Sequence, residues 1–279
     1  MINFNRFKDG KKFIVTFSYD DGFDTDIRLI ELFNKYGVKG TFHLNSKRFV
    51  NYSQEQLLEL KKRYEGHEIS AHTFNHYFPT RMPKTVLVNE VMEDRKFLEK
   101  IAGYPVCGMS YPFGDYNGEV IKTIEECGIL YSRTVENTRR FKMPENFLEW
   151  HPTVHHNGIQ NAVNDFFEKM SITFNSEPLL YIWGHSIEFK TEEQWRMMED
   201  GIKRLCERKD EIWFATNIEI YNYMTAIKSL RVAADESSVY NPSDTDIWFE
   251  KDARVCKIPA GATVNFNKIE DRKEGLWFE

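Results

Sequence analysis

Through most of the chain, short apolar runs alternate with longer stretches in which apolar residues recur every three or four positions. Residues 13–18 (Phe13-Ile14-Val15-Thr16-Phe17-Ser18) predict a strand. Residues 26–36 predict a helix with Ile27, Ile30, Leu32 and Phe33 on its apolar face and Gly37 as its stop. Residues 40–44 give the next strand, and Ser53 followed three residues later by Gln56 has capping-box spacing. Residues 68–71 form a short strand that ends at His72, ahead of a long helix over 84–102. Further strands are expected at 106–110, 129–134, 150–154, 179–183 and 212–215, and helices at 118–127, 160–174, 192–208 and 218–226. Strand-then-helix alternation implies parallel strands joined by right-handed crossovers.

The helix period disappears after Leu230. Asn241-Pro242-Ser243, Asp246-Ile247-Trp248-Phe249, Val255-Cys256-Lys257-Ile258 and Pro259-Ala260-Gly261 read as short strands separated by turns. The expected organisation is an α/β domain over residues 1–228 with a β-rich extension, 229–279, packed on it. Trp248 and Trp277 are candidate sugar platforms, although packing is the commoner use of such aromatics.

The 279 residues are 41% hydrophobic and carry a net charge of −6 with the signs interspersed. Nucleic acid is excluded as the main partner, because phosphate binding needs a basic face. Cys107, Cys127, Cys206 and Cys256 are widely spaced, which fits reduced thiols rather than a disulfide framework. The first ten residues show no apolar leader, and no apolar run approaches membrane-spanning length. A cytoplasmic protein acting on a small imported or intracellular substrate, without membrane association, is therefore expected. Whether it forms a homo-oligomer stays open.

The densest chemistry lies in Thr16-Phe17-Ser18-Tyr19-Asp20-Asp21-Gly22. Adjacent carboxylates repel, so a strand end carrying two has a use for both. One binding a metal while the other takes a proton is such a use. Downstream, His72 and His76 stand four residues apart. Asp, His and His make the ligand set of an open catalytic zinc site. Each candidate follows a predicted strand, the carboxyl-end rim where barrels do chemistry.

These segments resemble the motifs of the polysaccharide deacetylases, the carbohydrate esterase family 4 or NodB-homology group. The matching stretches are Ser18-Tyr19-Asp20-Asp21-Gly22, His72-Thr73-Phe74-Asn75-His76, Ser110-Tyr111-Pro112-Phe113-Gly114 and Leu180-Tyr181-Ile182-Trp183-Gly184-His185. The resemblance implies a distorted (β/α)7-type barrel and a metal-dependent hydrolase that removes N- or O-acetyl groups from a sugar or oligosaccharide. It makes Asp20 the general base and His185 the general acid. It assigns one divalent ion to Asp21, His72 and His76, zinc first, with Co2+, Ni2+ and Mn2+ as alternatives. It gives the oxyanion to the Phe113 N–H and the acetyl pocket to Trp183, with Tyr111 beside them.

The family often has an arginine where Ser110 stands, oriented by an aspartate that would fall near Asn146. Without that guanidinium, Asp20 is expected to be less firmly ionised. The stretch Glu149-Trp150-His151-Pro152-Thr153-Val154-His155-His156 offers a substitute, with His155 the candidate substrate contact or base partner. Two other readings are carried. One is a non-catalytic relative that binds metal and sugar. The other is a hydrolase of a C–N bond in a cyclic amide or imide.

Overall fold

The computed structural model describes residues 2–172 and 177–266. Its contacts divide the chain into two compact units. The larger comprises Val15–Lys209 and Phe214–Ile218, and the smaller the residues up to Ile14, Asp210–Trp213 and those from Glu219 on.

The first nine strands are β1 (Ile2–Asn3), β2 (Phe13–Asp20), β3 (Thr41–Leu44), β4 (Glu68–Ala71), β5 (Gly108–Ser110), β6 (Tyr131–Arg133), β7 (Val154–His155), β8 (Leu179–Gly184) and β9 (Ile212–Phe214). The helices are α1 (Asp26–Tyr36), α2 (Gln54–Arg63), α3 (Lys84–Ala102), α4 (Gly118–Glu126), α5 (Ile159–Met170), α6 (Glu192–Cys206) and α7 (Asn217–Ser229). The main sheet runs in the order β6-β5-β4-β3-β2-β8-β7, with β9 also paired to β2. The pairs β2–β3, β3–β4, β4–β5, β5–β6 and β7–β8 are parallel. This curled parallel sheet with its crossover helices has the parallel strands expected from the alternation and is the distorted (β/α)7-type barrel that the resemblance implied.

All eight residues of β2 are buried, as a strand covered on both faces requires. Its period of two still sorts them. Phe17 and Tyr19 pack against Phe33 of α1, with ring centroids 4.9 and 6.1 Å apart. Thr16, Ser18 and Asp20 share the other face, where they bond to Asn217, His43 and Ser110. That face carries a polar file ending at the rim.

Two predicted details differ. On α1 the buried residues are Asp26, Leu29, Ile30 and Phe33, whereas Ile27 is 42% exposed. Asp26 tolerates burial because its Oδ2 accepts from the Tyr64 hydroxyl at 2.8 Å. The strand expected over 150–154 is broken up: Trp150 makes a single parallel bridge to Arg133, and only Val154–His155 pairs with β8.

In the smaller unit, five more strands follow: β10 (Arg231–Val232), β11 (Ser238–Tyr240), β12 (Ile247–Lys251), β13 (Arg254–Ile258) and β14 (Thr263–Asn265). They form two three-stranded sheets, β1-β12-β13 and β10-β11-β14, around Val239, Phe249, Cys256, Ile258 and Phe266. Pairing of β1 with β12 draws the N-terminal residues into this unit, so its bounds differ from a simple break at residue 228. Trp248 is half-buried, with Lys257 Nζ 5.6 Å from its ring centroid. Trp277 lies outside the described residues. The four cysteines are free.

Candidate active site

The strand ends on one rim bring the predicted residues together. Asp20 closes β2 with its side chain on the polar face, and Asp21 follows in the left-handed region at φ 77°. That reversal, continued by Gly22 at φ 70°, sends two adjacent carboxylates in different directions. A side chain at Gly22 would also collide with Phe49, 2.9 Å from the position of its Cβ.

His72 leaves the end of β4 and His76 follows in a loop rather than a helix, with Thr73 and His76 at φ 61° and 58°. Two carboxylates one turn apart on α3 hold that loop. Asp94 accepts from the His72 N–H at 2.8 Å and the Ser46 N–H at 2.9 Å. Glu90 accepts from the Asn75 N–H and from its side-chain amide, at 2.7 and 2.6 Å. From the other side, Asn45 Nδ2 donates to the carbonyls of Thr73 and Phe74.

The result is a convergent donor set. His72 Nε2 and His76 Nε2 lie 3.7 and 3.6 Å from the same Asp21 oxygen, Oδ1. These gaps exceed a hydrogen bond and stand a few tenths of an ångström above the edges, about 3.3–3.4 Å, of a tetrahedron around a cation with bonds of about 2.0–2.1 Å. His72 Nδ1 lies 2.9 Å from the Ser110 carbonyl and 2.7 Å from Ser110 Oγ. Donation there places the hydrogen on Nδ1 and leaves the Nε2 lone pair facing Asp21. The three residues fit a divalent ion in donor type, spacing and tautomer.

Asp20 is buried and ion-paired with Arg133 Nη2, and it also accepts from Ser110 Oγ at 3.0 Å. Burial pushes its carboxyl up, but Arg133 above all, then His72, His185 and His43, hold it well below the usual carboxylate range. This corrects the sequence-based expectation. The guanidinium has moved one strand over: Arg133 of β6 is the register partner of Ser110 of β5. None of the three histidines in the 150–156 stretch takes its place. His151 Nδ1 bonds Thr134 Oγ1 at 2.7 Å, His155 bonds Glu188, and His156 is buried against Tyr19 and Phe189. Asn146 caps a short turn and donates to Glu149.

His185 follows β8, with Nε2 3.9 Å from Asp20 Oδ2 and 4.0 Å from Asp21 Oδ2. Its Nδ1 lies 3.4 Å from Glu188 Oε1. Burial lowers the His185 pKa, but Glu188, with Asp20 and Asp21, outweighs it and raises the pKa above the ordinary histidine value. Trp183 stands beside this group. Its face lies 4.4 Å from the Arg133 guanidinium carbon, and its Nε1 donates to Asn137 at 2.8 Å. Its ring also meets His155 nearly edge-on at 5.1 Å.

Phe113, 53% exposed, sits at φ 59° with its ring 4.5 Å from that of His76 and stacked at 3.9 Å on Phe78. Tyr111 is fully buried and gives its hydroxyl to the Leu148 carbonyl at 2.7 Å, so its side chain serves the wall. Sequence reasoning missed Arg133, Glu188, Glu90, Asp94 and Asn137. For Arg133 the signal was a lone charge near the end of the strand expected over 129–134. For Glu188 it was an acid three residues after His185.

A convergent Asp–His–His set thus stands beside a buried, ion-paired aspartate on the rim of a (β/α)7-type barrel. Residues 7–132 match the polysaccharide deacetylase family model, the family whose motifs the sequence resembles. A peptidoglycan-N-acetylglucosamine deacetylase of Bacillus cereus is 31% identical over 119 residues, covering 41% of this chain and 53% of that protein. A chitin deacetylase of Arthroderma benhamiae is 30% identical over 115 residues, 40% of this chain and 31% of that protein. The chain thus spans only part of the length of these relatives. A Mycobacterium smegmatis structure assigned to the polysaccharide deacetylases has a TM-score of 0.59 at 16% identity, covering 80% of this chain and 93% of that one. A carbohydrate esterase 4 pseudoenzyme from Bacillus anthracis reaches 0.50 at 14% identity, over 75% and 65% of the two chains. At such identities the structures share the fold alone. No helix among the described residues is long and apolar enough to cross a membrane.

Proposed function

We propose that this protein is a divalent-metal-dependent hydrolase that removes acetyl groups from a sugar or oligosaccharide, N-acetyl groups in the first instance. The observation that carries the reading is the ionised Asp20 beside the convergent Asp21–His72–His76 set, with His185 facing both aspartates. A divalent ion bound by Asp21, His72 and His76, zinc first and Co2+, Ni2+ or Mn2+ otherwise, would acidify water and polarise the acetyl carbonyl. Asp20 accepts the proton of the attacking water, because Arg133 and Ser110 keep its carboxylate charged and aimed. The backbone N–H of Phe113 is assigned to the developing oxyanion. His185, held protonated by Glu188, gives its Nε2 proton to the departing amine or alcohol. Trp183 walls the space for the acetyl methyl group, and His155 acts through Glu188.

The names of the relatives support an N-acetylated glycan as substrate. The non-catalytic reading rested on a missing arginine, and Arg133 supplies one. The cyclic-amide reading has no use for the converging metal ligands. The test is acetate release from a panel of acetylated mono- and oligosaccharides, with zinc-loaded and chelated protein. Release that requires the ion supports the proposal. No release from any sugar, or release indifferent to chelation, refutes it.

A further inference from the structure

A second donor set lies behind His185. His155 Nε2 is 2.8 Å from Glu188 Oε2, and His185 Nδ1 is 3.4 Å from Glu188 Oε1. One donor atom from each of the three residues lies within 4.8 Å of the others. From these contacts we infer a second divalent-cation site, formed by His155, His185 and Glu188, whose occupation disables the acid. The inhibitory consequence rests on the reading of His185 as proton donor; the binding site does not.

The donor chemistry suits zinc, with two imidazoles and a carboxylate. Adjacent donors around such an ion stand about 3.3–3.4 Å apart when its bonds are about 2.0–2.1 Å. The His185–Glu188 separation already has that value, and the His155–Glu188 contact needs only a small opening.

An independent observation points to the same place. His156 is fully buried, and neither of its ring nitrogens has a hydrogen-bond partner within the protein. Its ring is fixed by stacking on Phe189, at 4.3 Å and 22°, and on Tyr19, at 5.8 Å and 13°. Gly184 makes room for it, since a Cβ there would stand 2.1 Å from His156 Nδ1. The other nitrogen, Nε2, is aimed at the cluster, 3.5 Å from Glu188 Oε2. With no hydrogen-bond partner at either nitrogen, the neutral ring has a lone pair to offer there. Buried polar groups without partners are costly and rare. A cation beside Glu188 gives His156 the partner it lacks.

The set shares no residue with Asp21, His72 and His76. His185 turns Nε2 to the aspartates and Nδ1 to Glu188, so an ion on Nδ1 occupies the edge away from the reaction. An imidazole that gives Nδ1 to a metal no longer carries a proton on both nitrogens, and Glu188 is diverted from holding it charged. One equivalent of zinc therefore activates the protein and excess zinc inhibits it.

Zinc titration of the full chain, followed by calorimetry and metal analysis, tests this. The wild type is expected to bind two ions, and His155→Asn, Glu188→Gln and His72→Ala one each. Acetate release by the wild type should fall once the second equivalent binds. One ion in the wild type, still bound in Glu188→Gln and lost in His72→Ala, overturns the second site and leaves the Asp21 site standing. One ion that survives His72→Ala and is lost in Glu188→Gln supports the second site and refutes the first. Two ions in wild type, His155→Asn and Glu188→Gln alike also overturn it. If Glu188→Gln fails to fold, the milder His155→Asn decides.

Discussion

Arg133 and Asp20, on β6 and β2 and 113 residues apart in sequence, form a fully buried ion pair in the barrel. Removing one member of a buried pair leaves the other charge uncompensated, at a cost of about 3–5 kcal/mol. Arg133→Met should lower stability by that order and let the Asp20 pKa rise, moving the acidic limb of kcat/KM to higher pH. Arg133→Lys should move it less, because a point charge replaces a planar fork. Chemical denaturation with a pH–rate profile reads both effects. An unmoved acidic limb in Arg133→Met would mean that Arg133 does not hold the base.

The other limb belongs to His185. Glu188 raises its pKa, so the protonated acid persists above the ordinary histidine range. In Glu188→Gln the basic limb should move to lower pH while the acidic limb stays. His185→Gln should lower kcat by roughly 10²–10⁴-fold at constant metal content. Profiles taken at one equivalent of zinc check this, and a basic limb unchanged in Glu188→Gln contradicts it.

Much of the barrel was legible because parallel strands and crossover helices impose different hydrophobic periods, as in β2 followed by α1. The candidate ligands and base were legible because their spacing survives in one dimension: Asp20-Asp21 and His72…His76 are local. The partner of Asp20 was not. Register between β5 and β6 decides that Arg133 replaces a side chain at Ser110, and no local pattern encodes that register. Trp150 to Val154 looked like one strand because its residues suit strands, yet one end bridges β6 and the other pairs with β8. The helix expected over 26–36 was read from its apolar period, which says nothing of Asp26; Tyr64, 38 residues away, gives that carboxyl a buried role.

The loop that carries the histidines depends on α3. Asp94→Ala and Glu90→Ala each remove an acceptor for backbone N–H groups of the His72–His76 loop. Supporting residues of this kind typically contribute 10–100-fold in metal affinity, and a loss of roughly that size is expected in each variant. Competition with a chelating dye measures it. Wild-type affinity in both variants would show that the loop holds its shape without α3.

Asp26 gives stability a pH dependence of its own. Burial is the main cause that raises its pKa to about 7, against hydrogen bonds from Ser186 and Tyr64. The unfolded carboxyl titrates near about 3.9. The folded state therefore binds the proton more tightly, and this contribution is complete below pH ~3.9 and lost as pH rises towards 7. Melting temperatures of wild type and Asp26→Asn between pH 4 and 8 should show the wild type losing ground to the variant as pH rises. A constant difference would mean that Asp26 does not titrate in this window.

Division of labour between two adjacent aspartates is the centre of this account, and zinc content measured with acetate release in Asp20→Asn and Asp21→Asn tests it most directly. Asp20→Asn should keep the ion at the Asp21–His72–His76 site while turnover falls by roughly 10²–10⁴-fold. Asp21→Asn should lose that ion first, and activity with it. Equal loss of zinc in both variants, or full turnover in Asp20→Asn, would contradict the account.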